Sequence, residues 1–132
     1  PKAIEYFQKA ITYEPTNSMY LNNLGDSYRL KNDMKKAEET FLKSLDINAD
    51  EMLTHFNLGI LYQEDKRFQK AIDSFKKSLN INPSFSEAYI QLANSYLETN
   101  DKESAKQSLE KALKVYPNNL RFKELYNKVL AS

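Results

Sequence analysis

The sequence predicts an all-α protein built by stacking one kind of helical hairpin. Three observations carry that prediction. Residues 23 to 28 read NLGDSY, 57 to 62 read NLGILY and 91 to 96 read QLANSY, at a constant step of 34 residues. Only 2 glycines and 4 prolines interrupt 132 residues rich in Lys, Glu, Leu, Ala and Ser, a composition that favours helices. Around each recurring segment the apolar residues fall at spacings of three, four and seven, which line one face of a helix.

Taken in order, residues 1–17 read as the second helix of an incomplete hairpin, with Ala3, Phe7 and Ala10 on one face and Pro15 at its end. Residues 18–51 carry Leu21, Leu24, Gly25 and Tyr28 in a first helix, then Ala37, Phe41, Ser44 and Leu45 in a second. Residues 52–85 repeat the scheme with His55, Leu58, Gly59 and Tyr62, then Ala71, Phe75, Ser78 and Leu79. Residues 86–119 do so with Tyr89, Leu92, Ala93 and Tyr96, then Ala105, Leu109, Ala112 and Leu113. The second helices stop at Ala49, Pro83 and Pro117, and proline cannot continue a helix.

Short polar turns, KND (31–33), EDK (64–66) and TND (99–101), join the two helices of each hairpin, with Asp33 and Asp101 placed to cap. Ser84 and Glu87 have the spacing of a capping box before the third hairpin. Gly25 and Gly59 need a reason, because glycine inside a helix costs about 1 kcal/mol relative to alanine. Both lie on the apolar face. Small residues at seven-residue spacing, Ala37 with Ser44 and Ala71 with Ser78, are expected to face them and let the backbones approach. On that account Gly59→Ala is tolerated, since Ala93 fills the same slot.

These residues resemble the tetratricopeptide repeat family, whose pattern runs W-x-x-L-G-x-x-Y, then A-x-x-x-F, then P at a 34-residue period. The resemblance covers the three full repeats 18–51, 52–85 and 86–119 and the partial one in 1–17. Departures are Leu21, His55 and Tyr89 in place of tryptophan, Ala93 for glycine and Ala49 for proline. It implies an α-solenoid of helical hairpins wound into a right-handed superhelix, forming one domain over 1–132, with first helices lining the concave side. Residues 120–132 read as a closing helix, with Lys123 where other repeats carry a ring or leucine, since an end repeat must face water. The chain begins partway through a repeat and without methionine, so it reads as a piece of a longer protein. The open face of its first helix is expected to support weak self-association.

Nothing in the sequence points to catalysis or a cofactor. There is no cysteine, and His55 is the single histidine, so no triad or thiolate metal site can be assembled. In its packing slot His55 reads as structural. The glycines are too far apart for a phosphate loop. Glu38, Glu39 and Glu103, like Lys35, Lys36, Lys76 and Lys77, alternate with opposite charges and read as solvated. The formal net charge is +1, which argues against nucleic acid as the principal partner. No apolar run approaches the ~18 residues of a membrane span. Absence of cysteine fits a reducing compartment, giving a cytoplasmic expectation.

The expected function is therefore recognition of a protein or peptide. Opposite the Leu-Gly-Tyr stripe, the first helices carry Met19, Asn22, Asn23, Asp26 and Leu30; then Leu53, Phe56, Asn57 and Ile60; then Glu87, Ile90, Gln91, Asn94 and Leu97. This side is expected to need no core contact. Leu53, Phe56, Ile60 and Ile90 would form an apolar floor, the kind of patch that binds something. Asn23, Asp26, Asn57, Gln91 and Asn94 would supply the polar contacts. The family's asparagine ladders resemble the recurrence of Asn23, Asn57 and Gln91 at one slot, although asparagine is also simply common there. The family's carboxylate clamp for chaperone tails fits poorly: Asn22, Asp26, Leu53, Glu87 and Gln91 include no lysine or arginine. A self-assembling scaffold and a targeting or regulatory domain of a larger enzyme are the other readings.

Overall fold

A computed structural model describes residues 2–132 of the chain; Pro1 lies outside the described residues. Among the described residues eight α-helices follow one another: α1 (Lys2–Tyr13), α2 (Ser18–Leu30), α3 (Met34–Ile47), α4 (Met52–Glu64), α5 (Phe68–Ile81), α6 (Ser86–Glu98), α7 (Lys102–Val115) and α8 (Leu120–Ala131). Helices α2–α3, α4–α5 and α6–α7 are the three hairpins, and α1 and α8 flank them.

Each hairpin turn is the same device. Its middle residue, Asn32, Lys66 or Asn100, has φ of 66°, 59° or 59°. That left-handed residue lets the following N–H reach back to the first helix. Asp33 N donates to Tyr28 O at 2.9 Å, Arg67 N to Tyr62 O at 2.8 Å and Asp101 N to Tyr96 O at 2.9 Å, closing a Schellman motif that satisfies orphan carbonyls. Asp33 and Asp101 then cap the second helix, accepting from Lys36 N at 3.3 Å and Ser104 N at 3.0 Å. The bond from Ser104 holds the Asp101 carboxyl below its usual range. The middle turn is Asp65–Lys66–Arg67, one residue later than the sequence suggests, and Arg67 provides no side-chain cap. The expected capping box also fails. Phe85 occupies the N-cap of α6, and Ser84 N donates to Asn82 Oδ1 instead.

The glycines work differently from expectation. A Cβ built on Gly25 would lie 2.6 Å from the Phe41 ring, and one on Gly59 would lie 2.6 Å from the Phe75 ring. Each glycine receives an aromatic ring of the second helix, not a small residue. The small serines instead tie the second helix to the start of the first. Ser44 Oγ donates to Ser18 O at 2.8 Å and Ser78 Oγ to Met52 O at 3.2 Å. In the third hairpin Ala93 replaces the glycine and Leu109 the phenylalanine, both fully buried. A larger slot residue is matched by a slimmer partner.

The core runs along the stack as two clusters. One gathers Phe41, Leu58, Leu61, Ile72, Phe75 and Leu92; the other gathers Tyr89, Ala93, Leu109, Phe122 and Val129. Successive repeats are also joined by buried polar groups. Thr54 Oγ1 lies 3.1 Å from Ser44 Oγ and donates to Asn22 Oδ1 at 3.1 Å, and Asn57 Nδ2 donates to the same oxygen at 3.0 Å. Helix α1 contributes no buried residue, and Tyr6 and Tyr13 stand in solvent.

Candidate functional site

Helix α2 packs against α4, and α4 against α6, while α3, α5 and α7 make no comparable contact with one another. The stack must therefore bend with its first helices on the inner side. That places the outward slots of α2, α4, α6 and α8 along one concave face. The 34-residue register continues into α8, so Glu87 is followed by Arg121, Ile90 by Glu124, Gln91 by Leu125 and Asn94 by Lys128.

The nine expected site residues divide into four groups. Phe56 and Ile60 pack against the core, with the Phe56 ring 5.6 Å from Phe75 and 4.8 Å from Phe85. The expectation that this side makes no core contact thus fails for these two, and for Ile90, which is buried in the second core cluster. For Phe56 the cause is Phe85, at the N-cap of α6, which gives its ring a partner. Leu53 is exposed, as are parts of Asn23 and Asp26, and none of the three lines either inner-face cleft. Asp26 is engaged by Arg29 at 3.0 Å, and Arg29 also reaches Glu64 at 2.9 Å. Asn57 donates its amide to Asn22, and Asn22 itself is buried.

Ile90, Gln91 and Asn94 line open clefts, although Ile90 does so only at the edge of the core, 7% exposed. Between α6 and α8 a cleft of 720 Å³ is lined by Ile90, Asn94, Arg121, Leu125 and Lys128 among others. Between α4 and α6 a second, of 760 Å³, includes Gln63, Glu64, Lys66, Gln91, Asn94 and Leu97. Asn94 belongs to both, and its side-chain amide makes no hydrogen bond among the described residues. Gln91 Nε2 donates to Glu87 Oε1 at 3.2 Å, and Arg121 pairs with Glu87 at 3.2 Å. Lys128 is exposed and makes no ion pair among the described residues. The α8 residues Arg121, Leu125 and Lys128 were not among the expected site residues, because α8 reads in sequence as a closing helix. The signal for them is the 34-residue step itself, extended once more.

Two side chains away from the clefts also bear on the expectations. His55 is buried, with Nε2 2.8 Å from Ala49 O; Tyr89, one repeat later, makes the same contact to Pro83 O at 2.6 Å. Both are structural. Glu38 is not simply solvated. It accepts from Tyr62 at 3.0 Å and pairs with Arg67 at 2.9 Å. Burial pushes the Glu38 carboxyl up, but the bonds from Arg67 and Tyr62 outweigh it and hold the carboxyl below its usual range. Burial and the neighbouring carboxylate push the Tyr62 hydroxyl up to about 12.

Known proteins agree with this architecture. The crystal structure of MamA superposes with a TM-score of 0.80 at 21% identity, covering 97% of this chain and 81% of that one. The first TPR of Spaghetti (RPAP3), bound to an HSP90 peptide, gives 0.76 at 23% identity, over 88% of this chain and 97% of the other. YrrB, described as a TPR protein with an unusual peptide-binding site, gives 0.85 at 19%, over 98% and 66%. No curated protein matches the chain in sequence. Two tetratricopeptide repeat family models match, one over residues 16–84 and one over 62–129. Each spans more than half of the 132 residues, and with the repeated hairpin geometry they show that the chain belongs to the tetratricopeptide repeat family.

Proposed function

We propose that the chain is a non-catalytic protein-interaction module that holds an extended peptide segment of a partner along the α4–α6–α8 face. The observation that carries this reading is Asn94. Its amide is unspent, and it stands at the junction of the two open clefts. A free amide both donates to and accepts from a peptide backbone, while the partly buried Leu125, beside the edge of the core residue Ile90, offers an apolar contact for a side chain. The family's general use as an interaction fold supports the same reading, as do the peptides that RPAP3 and YrrB bind.

A chaperone tail held by a carboxylate clamp fits this face poorly. Asn22 is buried and bonded, and Asp26 and Glu87 are acidic at slots where a terminal carboxylate would need cations. End-to-end stacking of copies is opposed by α8. Asn127 stands at the slot that holds Gly59 and Ala93, and Lys123 at that of His55 and Tyr89, so a docking second helix would meet bulk and charge.

Selection from a displayed library of random peptides tests the proposal. Enriched peptides are expected to bind the native chain and to lose affinity for Asn94→Ala/Lys128→Glu, whose substitutions touch no core residue. Peptides that bind both proteins equally would place recognition elsewhere.

A further inference from the structure

On the opposite side of the stack a third cleft, of 660 Å³, opens between α5 and α7. Leu79, Pro83, Leu92 and Tyr96 line it, with Lys76 and Asn80 on the α5 rim and Gln107 and Lys111 on the α7 rim. No carboxylate lines it, although the α6–α8 and α4–α6 clefts both contain Glu. Neither Lys76 nor Lys111 makes an ion pair among the described residues.

The repeats supply an internal comparison. One repeat earlier, the positions of Lys76, Asn80 and Gln107 are held by Leu42, Asp46 and Asp73, while Lys77 already stands at that of Lys111. Moving down one repeat therefore removes two carboxylates and adds one cation. A second change has the same sign. Tyr62 donates its hydroxyl to Glu38, but at the equivalent positions Tyr96 faces a repeat in which Ile72 replaces the glutamate. The Tyr96 hydroxyl makes no hydrogen bond among the described residues and lines the cleft as a free donor. Gln107 has its amide turned to Glu103 at 3.4 Å, and Glu103 lies outside the lining.

We propose that this cleft is a second docking site, separate from the inner groove, for an acidic peptide segment carrying an apolar side chain. Two lysines flanking an apolar floor, with the Tyr96 hydroxyl and the Asn80 amide as donors and no carboxylate in the lining, complement carboxylates on either side of a hydrophobic residue. Ser104 to Lys111 covers two helical turns, about 10 Å, which matches about three residues of extended chain. Lys76, a solvated charge by sequence alone, thereby has a ligand to face.

Fluorescence anisotropy with a labelled Asp-Glu-Phe-Glu-Asp peptide and the chain as it stands tests the site. Saturable binding is expected, weakening as salt screens the lysines. Lys76→Glu/Lys111→Glu should weaken it by about tenfold or more. Asn80→Asp/Gln107→Asp, which restores the carboxylates of the preceding repeat, should act in the same direction. The matched reversal Lys2→Glu/Lys43→Glu, away from both clefts, should leave binding unchanged. All these positions are exposed, and circular dichroism checks that each variant keeps its fold. Three results overturn the proposal: no saturable binding, equal loss in the Lys2/Lys43 variant, or full displacement by inorganic phosphate at matched ionic strength, which would mean a small-anion site. Because the inner-groove variant Asn94→Ala/Lys128→Glu is read separately, failure here is distinguishable from failure of the groove.

Discussion

Gly59 and Phe75 are a fitted pair: the ring sits where a side chain on residue 59 would be, 2.6 Å from its would-be Cβ. Phe75 is fully buried and Phe56 stands 5.6 Å from its ring, so the ring has little room to withdraw. This reverses the sequence expectation for Gly59→Ala. The substitution gains about 1 kcal/mol of helix propensity but overpacks by about 1–3 kcal/mol, for an expected net loss of about 1 kcal/mol. Phe75→Leu reproduces the partner that Ala93 has in the third hairpin. A double-mutant cycle by urea unfolding should therefore show Gly59→Ala costing less in the Phe75→Leu background than in the native one.

How much of this was legible in the sequence follows from what a 34-residue register carries. Each helix, each hairpin and both capping aspartates could be placed, because they depend on local spacing and local chemistry. The partner of Gly59 could not, because several residues of the second helix share the inward face and only their rotation decides which one meets the glycine. Phe56 was misplaced for a related reason: it lies on the outward side of its own helix, and Phe85 from the next repeat joins Phe75 in covering it. The amides of Asn57 and Gln91 looked free in sequence but are engaged by Asn22 and Glu87, whereas Asn94 stays free.

Phe56 should therefore behave as a packing residue. Phe56→Ala is expected to destabilise the chain by about 2–3 kcal/mol, at or below the low end for a fully buried phenylalanine, because the ring is only half-buried. Thermal unfolding measures this directly. An unchanged melting temperature would return Phe56 to the groove floor.

Lys66 carries a left-handed conformation, φ 59°, that its counterparts assign to Asn32 and Asn100. Left-handed backbone costs an ordinary residue about 1–2 kcal/mol and asparagine less. Lys66→Asn is accordingly expected to stabilise by about 0.5 kcal/mol, seen as a higher urea midpoint with an unchanged slope.

The Glu38–Arg67 pair predicts a pH dependence. Folding holds the Glu38 carboxyl below the ordinary range of a glutamate. Its contribution is therefore complete above the unfolded glutamate's pKa and is lost as pH falls through the lower, folded one. Glu38→Gln should be less stable than the native chain at neutral pH, and the difference should shrink in acid. Unfolding curves from neutral pH downward read this; a constant difference would remove the ion pair as its cause.

Helix α1 leaves Tyr6 and Tyr13 in solvent at 63% and 89% exposure. Weak association of copies through this face is expected in sedimentation at rising concentration. Tyr6→Ser/Tyr13→Ser should abolish it, since burying one such side chain is worth about 1.5–3 kcal/mol.

Peptide recognition along the inner face is tested most sharply by an amide hydrogen-exchange footprint of a library-selected peptide on the native chain. Slowed exchange is predicted across α6 and α8, in residues 86–98 and 120–131, with the footprint lost in Asn94→Ala/Lys128→Glu. A footprint lying wholly on α1, α3 or the outer face of α5, or one unchanged by those substitutions, would contradict recognition by the α4–α6–α8 face.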